Sequence, residues 1–355
     1  MSLKNTVYKL FHWEYWPVSL LYIPNLPYAF YLLIKAKHVT FFTAANPGIQ
    51  NSGNGAESKY QTLLSVPEKY RPKTVLILPG TPFKTVANQL KEAALVFPII
   101  AKPDVGFRGL LVKKIASLNA LEKYLQKYPI AMLAQEFLAH EHECGLFYSR
   151  IPEEASGEIS SITLKHFLTV EGDGVSTLEA LILANKRTRI YLHLFQKIHQ
   201  EKMQQVLAKN ELLKLTAIGN HSKGTQFING NHLISKQLTN TLDTLNKSIP
   251  GWYYGRIDLK YNAFSSVEDG SDFKILEING IISEPTHIYD SEQSSYFKAL
   301  QAIRDHWKKL YLIATYNHHR KQVAYTAPSA FIQELVQLKR YTKKITRLTK
   351  NELHS

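Results

Sequence analysis

Leu276-Glu277-Ile278-Asn279-Gly280, together with Gly255-Arg256-Ile257-Asp258 upstream of it, decides the fold of this chain. Each acid sits in an apolar, β-prone run, Trp252–Leu259 and Phe273–Ile278. Their alternation predicts two strands joined by a polar loop at Ser265–Asp272. As antiparallel neighbours, these strands would set Asp258 and Glu277 side by side. Asn279, two residues beyond Glu277, would point the same way. Two carboxylates and an amide oxygen make a hard, all-oxygen site that suits Mg²⁺, which takes one or two carboxylates and leaves room for phosphates.

Working outward, Lys102-Pro103-Asp104-Val105-Gly106-Phe107-Arg108-Gly109 places an ammonium at a strand end beside a glycine-bearing loop. Gly106 and Gly109 let backbone N–H groups approach an anion, and Arg108 adds a forked donor. No Gly-Lys-Ser/Thr follows, so this is not a Walker A loop. In His140-Glu141-His142-Glu143-Cys144 only alternate members share a face and the His-Glu-x-x-His spacing is absent, which argues against zinc.

The bulk numbers are those of a soluble globular protein of one or two domains: 355 residues, 45% apolar and 20% charged. A net charge of +14 implies attraction to anions without choosing among nucleotide, acidic substrate, nucleic acid and anionic membrane. Cys144 is the only cysteine, so neither an intrachain disulfide nor a thiolate cluster can form. Met1–Trp16 has no clean apolar core and reads as no signal peptide. Val18–Ile34 is interrupted by Pro24, Asn25 and Pro27 and is too short to span a bilayer. Buried helix packing is the expectation there, with a surface-lying aromatic segment as the alternative.

Predicted elements follow in order. A helix runs from Glu57 to before Pro67, and another from Thr85 to Leu95. A strand covers Phe97–Lys102 and a second Leu110–Ile115. Ser117 caps a helix to Tyr128. Strands follow at Ala131–Phe137, Cys144–Arg150 and Ser160–Thr169, then a turn at Gly172-Asp173-Gly174. A long helical region occupies Leu178–Leu213, and the chain is mostly helical after Ile288. This order predicts an α+β nucleotide-binding unit, not a doubly wound sheet. The basic run Leu338–Lys350 reads as a solvated helix face, with an anionic-membrane or nucleic-acid contact as alternatives.

Arg-x-Asp followed by Glu-x-Asn, with the upstream Lys-Pro-x-x-Gly-x-x-Gly loop, resembles the ATP-grasp superfamily. That group includes D-alanine–D-alanine ligases, glutathione synthetases and cyanophycin synthetases. The resemblance covers residues 57–285. It implies an α+β ATP-grasp fold in which two α+β subdomains clamp ATP, divided as an N-terminal section 1–84, an ATP-grasp domain 85–290 and a helical basic extension 291–355. It implies ATP and Mg²⁺ (with Mn²⁺ as a substitute) as cofactors, Asp258, Glu277 and Asn279 as metal ligands, and Lys102 and Arg256 as catalytic cations. Lys59, Gly106, Arg108, Gly109 and Lys165 are the matching nucleotide contacts. Gln135, Glu136, Phe137 and Leu138 would line the adenine and Glu143 the ribose, with Glu141 competing for that role. Arg187, His221, Lys223 and His287 are candidate substrate contacts.

The implied reaction is an ADP-forming carboxylate–amine or carboxylate–thiol ligation of small molecules in the cytoplasm. The glycine loop lacks the Ser-Ser of D-alanine–D-alanine ligases, which puts that substrate in doubt. A larger peptide- or lipid-linked acceptor and a non-catalytic ATP-binding module are the alternatives. Similar enzymes are usually dimers, so a homodimer is a further expectation, as is a peripheral membrane contact. Nucleic acid rests on charge alone.

Overall fold

The computed structural model of the chain describes residues 3–106, 109–216 and 219–350. Its strands are β1 (Thr74–Ile77), β2 (Ile99–Pro103), β3 (Lys113–Ile115), β4 (Met132–Glu136), β5 (His142–Ser149), β6 (Glu158–His166), β7 (Thr169–Glu171), β8 (Leu212–Lys214), β9 (Gln226–Asn229), β10 (Tyr254–Tyr261) and β11 (Phe273–Asn279). They form a four-stranded sheet in the order β1-β4-β2-β3, a five-stranded sheet in the order β11-β10-β5-β6-β9, and the pair β7-β8. Every pairing is antiparallel. The fold is α+β, with the two halves expected from the sequence.

Each half has its own core. On β10, Ile257, Leu259 and Tyr261 pack with Leu146, Tyr148 and Ile162 against helix Lys236–Lys247, which contributes Leu238, Leu242 and Leu245. The intervening Arg256 and Asp258 therefore face the other way, as a period of two requires. In the smaller half, Ile99, Ala101, Met132 and Ala134 pack with Leu121 and Tyr124 of helix Leu118–Lys127. That helix starts where expected: the Ser117 hydroxyl accepts a hydrogen bond from the Ala120 amide.

Three expectations are corrected. The long helix over 178–213 is broken into Leu178–Ala184 and Leu192–Ile198, and ends in β8. The Asn185 side-chain oxygen accepts from the Arg187 and Thr188 amides, a local turn that competes with the helix ladder. The Ser265–Asp272 loop overlaps helix Phe264–Glu268. The Val18–Ile34 stretch is only half packed: Leu21, Asn25 and Leu32 are buried, but Ile23, Leu26, Phe30 and Ile34 face out.

The chain's two ends close around the sheets. Buried Asn46 accepts from the Tyr253 and Tyr254 amides and donates to the Ser52 and Tyr254 carbonyls, tying the 46–55 loop to β10. Gly53, at φ +76°, and Gly280 cross so closely that a Cβ on Gly53 would lie 2.7 Å from the Gly280 Cα. Helix Pro328–Lys350 then straps both halves. Its Glu334 accepts from the Asn51 and Asn54 amides, and its Ile345 is buried in the core beneath the four-stranded sheet. The basic run Leu338–Lys350 keeps the solvated face expected of it, with Lys339, Arg340, Lys343, Lys344 and Arg347 exposed, while Ile345 packs inward.

Candidate active site

β10 and β11 put Asp258 directly opposite Glu277, and Arg256 opposite Asn279. The register shifts between Asp258 and Leu259, which leaves Leu276 as an extra residue on β11. Phe273 and Ile275 lie in the core; past the bulge, Ile278 takes the core side and Glu277 and Asn279 turn to the Asp258 face. The bulge also frees the Leu276 carbonyl, which accepts from Lys102 Nζ at 3.3 Å. Lys102 belongs to β2 of the other sheet and also donates to Gln135 Oε1 at 3.0 Å, so it joins the two halves.

Three more cations converge on the carboxylates. Lys59 Nζ donates to Glu277 Oε2 at 2.7 Å. Arg256 forks onto Asp258, with Nε to Oδ1 at 2.9 Å and Nη2 to Oδ2 at 3.0 Å. Lys165 Nζ lies 2.6 Å from Glu143 Oε1 and 3.4 Å from Asp258 Oδ1. Lys59, Lys102, Lys165 and Arg256 thus oppose Glu143, Asp258 and Glu277, with Glu57 beside Lys59 and Glu284 beside Arg256 adding further negative charge. Burial disfavours the charged form of Glu277, but the Lys59 and Lys102 ammoniums outweigh it and hold the carboxyl well below the usual range. Burial lowers Lys102 to about 8 against the opposing pull of Glu277. For Lys165 burial is overcome by Asp258 and Glu143, and its pKa is raised.

These oxygens fit a hard divalent cation. Glu277 keeps 27% of its side chain open, and Asp258 and Asn279 lie beside it. Asn279 turns Nδ2 toward Asp258 Oδ2 at 3.5 Å and Glu277 Oε1 at 3.3 Å. A half-turn of the amide presents Oδ1 instead, completing an oxygen set of two carboxylates and one amide. The cations already paired there show that the carboxylates are arranged to hold positive charge.

The glycine loop is anchored to Lys59. Asp104 accepts from the Ser58 hydroxyl and the Tyr60 amide at 2.9 Å each, at the start of helix Lys59–Leu64. Gly106 lies against Pro103 and Gly109 has a φ of +68°; Arg108 lies outside the described residues. On and after β4, Gln135 and Leu138 are buried, the Glu136 carboxylate accepts from the Lys73 amide, and the Phe137 ring stacks under Lys114 Nζ at 3.8 Å. Of the two competing acids, Glu143 is buried beside Lys165, while Glu141 is exposed and its amide donates to Asn262.

The substrate candidates fall elsewhere. Arg187 closes its fork on Glu14, with Nη1 to Oε1 at 3.0 Å and Nη2 to Oε2 at 2.8 Å. His221 Nε2 meets the same carboxylate at 2.9 Å. Neither is a free anion holder, because the chain's own Glu14 fills both. Lys223 ends the short turn His221–Lys223. His287 is partly buried with no partner for Nδ1 among the described residues, and burial lowers its pKa to about 4, so it is neutral at pH 7.

Sequence reasoning missed two participants. Gly145 on β5 sits opposite Asp258, where a Cβ would lie 2.9 Å from Asp258 Oδ1. Glu284 follows β11: its carbonyl accepts from Arg256 Nη1 at 3.3 Å, and Tyr22 and Tyr289 hydroxyls donate to its carboxylate. The Gly inside an otherwise bulky β5 run was the available signal for the first; the partners of the second are too distant in sequence to give one.

No family model matches the chain, and no curated protein does. Among solved structures, it resembles ATP-grasp ligases. A bifunctional glutathione synthetase from Pasteurella multocida aligns at 16% identity and TM-score 0.42, over 71% of this chain and 36% of that one. The VanG D-Ala:D-Ser ligase from Enterococcus faecalis aligns at 12% identity and TM-score 0.43, over 74% and 64%. The ATP-grasp ligase PsnB aligns at 12% identity and TM-score 0.37, over 73% and 60%. The chain therefore spans less than two thirds of each of these relatives, and at such scores what the site does has to be argued from its own geometry.

Proposed function

We propose that this chain is an ATP-grasp ligase that uses Mg-ATP to join a carboxylate to an amine, releasing ADP and phosphate. One observation carries the reading: the Asp258–Glu277 pair with Asn279, ringed by Lys59, Lys102, Lys165 and Arg256 where the two sheets meet. Four cations around a metal-competent carboxylate pair are what a triphosphate requires, since phosphoryl transfer depends on positioning and charge neutralisation more than on covalent help.

Asp258, Glu277 and Asn279 would hold Mg²⁺, which supplies charge neutralisation across the triphosphate. Lys102, Lys165 and the 104–109 loop would bind the phosphate oxygens, with Lys59 moving between Glu277 and the nucleotide. Gln135 through Leu138 would border the adenine, and Glu143 the ribose hydroxyls. The substrate carboxylate attacks the γ-phosphorus to give an acyl phosphate and ADP. The amine then attacks the acyl carbon and phosphate leaves. Arg256, held by Asp258 and the Glu284 carbonyl, is oriented to stabilise the acyl phosphate and the tetrahedral oxyanion.

The test is ADP release from Mg-ATP over a panel of carboxylate and amine pairs, with Glu277→Gln beside the wild type. ADP formed only with a particular acid, and lost in the variant, is the expected result. AMP as product overturns the acyl-phosphate route, and failure to bind Mg-ATP overturns the whole reading.

A further inference from the structure

The N-terminal segment is anchored on one face and bare on the other. Its helices are Leu3–Phe11, Ser19–Tyr22 and Leu26–Ala36. The anchored face is specific: Trp13 Nε1 donates to the Ile288 carbonyl at 2.9 Å, and Asn25 Nδ2 to the Leu300 carbonyl at 3.2 Å. Opposite it, Leu26, Phe30 and Ile34 recur every fourth residue along the last helix, and Phe30 and Ile34 are 60% and 77% exposed. A second exposed group lies around Phe11. Trp16 donates to the Lys9 and Leu10 carbonyls and lies 5.5 Å from the Tyr296 ring, which lies 5.9 Å from exposed Phe297.

The charge on this segment is one-sided. Between residues 3 and 39 the only acid is Glu14, and it is buried against Arg187. The segment therefore exposes no carboxylate, whereas Lys35 and Lys37 are exposed at the end of the apolar row. On neighbouring helix Tyr296–Lys321, Arg304 is bonded to Asn25 and Lys308 is exposed; Asp305, near Tyr28, is the single acid of that helix, and exposed Glu292 lies near Tyr8. No helix among the described residues is long and apolar enough to cross a membrane. Helix Leu26–Ala36, with 11 residues, is about 16 Å long, half of a bilayer's apolar core.

We infer that this face docks on an anionic lipid bilayer, with the Ile23–Ile34 row inserted at the headgroup boundary and Lys35, Lys37 and Arg304 against lipid phosphates. An exposed apolar row edged by cations, on helices too short to span, is the chemistry of an interfacial anchor. Because the segment is already held by Trp13 and Asn25, no helix has to fold on contact. The inference does not rest on the ligase reading. It does place the site near lipid: Tyr22, from the same segment, donates to the Glu284 carboxylate, and the Glu284 carbonyl accepts from Arg256.

Flotation of the full chain with vesicles of neutral phosphatidylcholine, or of phosphatidylcholine mixed with phosphatidylglycerol, tests it. The chain should float with the anionic vesicles and lose affinity as salt rises. Phe30→Ser/Ile34→Ser should weaken partitioning roughly tenfold or more. Lys35→Glu/Lys37→Glu should weaken it on the order of fivefold per lysine. Both variants should keep the wild-type thermal midpoint and Mg-ATP affinity. No flotation with anionic vesicles overturns the inference. Equal, salt-insensitive binding to both vesicles overturns its choice of an anionic surface. A dimer that ignores vesicles, and that Phe30→Ser/Ile34→Ser dissociates, assigns the face to a second copy and overturns it too.

Discussion

Gly145→Ala separates what the site needs from what the fold needs. Gly145 lies on β5 across from Asp258, and a Cβ there would stand 2.9 Å from Asp258 Oδ1 and 3.0 Å from Arg256 Cδ. Its backbone is not in the left-handed region, so alanine meets no φ penalty. In the unfolded chain, alanine loses less freedom than glycine, a gain of about 0.4–1 kcal/mol. Relieving the contact needs a shift of about half an ångström in the Asp258–Arg256 pair. Since a displacement of about 1 Å costs about a hundredfold in a positioned reaction, half of that costs roughly tenfold. The expected outcome is an unfolding free energy within about 1 kcal/mol of wild type by urea titration, and Mg-ATP affinity or ADP release down roughly tenfold. Unchanged nucleotide binding and turnover would refute the claim that this close approach fixes Asp258. A large stability loss with normal activity per folded molecule would refute it as well, because the strand would then be absorbing the clash.

Glu14→Gln should destabilise the chain and change its acid limb. Burial raises the Glu14 pKa, but His221 and Arg187 bring it down to about 2 from an ordinary 4.5. A carboxyl depressed on folding stabilises fully above its unfolded pKa and loses that contribution as pH falls toward the folded value. The difference is about 3 kcal/mol, disappearing between about pH 4.5 and 2. The gap between urea midpoints at neutral pH and near pH 3 should narrow in Glu14→Gln, what is left coming from other carboxyls held low, such as Glu277 and Asp243; an unaltered gap would refute the pairing. Lys102, which burial lowers to about 8, is largely neutral above that pH in the free chain. A bound triphosphate favours its ammonium, so Mg-ATP affinity should drop roughly tenfold from pH 7 to pH 9. Calorimetry of Lys102→Met should show the slope gone; a slope that persists assigns the titration to another group, such as the partly buried Lys260.

The parts of the site that were legible in the sequence are those written within single strands. Asp258, Glu277 and Asn279 are read from spacing alone, and the two strands pair as expected. The bulge was legible too, though unread: Phe273-Lys274-Ile275 alternates in one phase and Leu276-Glu277-Ile278 in the other, and such a phase flip marks an extra residue. Strand β1 was missed because Thr74–Ile77 is only four residues long and takes its identity from pairing with β4. Arg187 is more instructive. The sequence offers Arg187, inside an expected helical region, as a substrate contact; its fork does hold a carboxylate, but one supplied from 173 residues away. No local pattern distinguishes an arginine awaiting a ligand from one already satisfied by its own chain. The same limit hid the interlock of Gly53 with Gly280 and the reach of Glu334 to Asn54, a separation of 280 residues. These contacts bear directly on function. The loop that follows Glu277 and Asn279 takes its backbone hydrogen bonds from Ser52 and Gly53, with the Ile281 and Ile282 amides donating to their carbonyls at 3.0 and 3.1 Å. The position of the carboxylate pair therefore depends on both ends of the chain, which local spacing could not reveal.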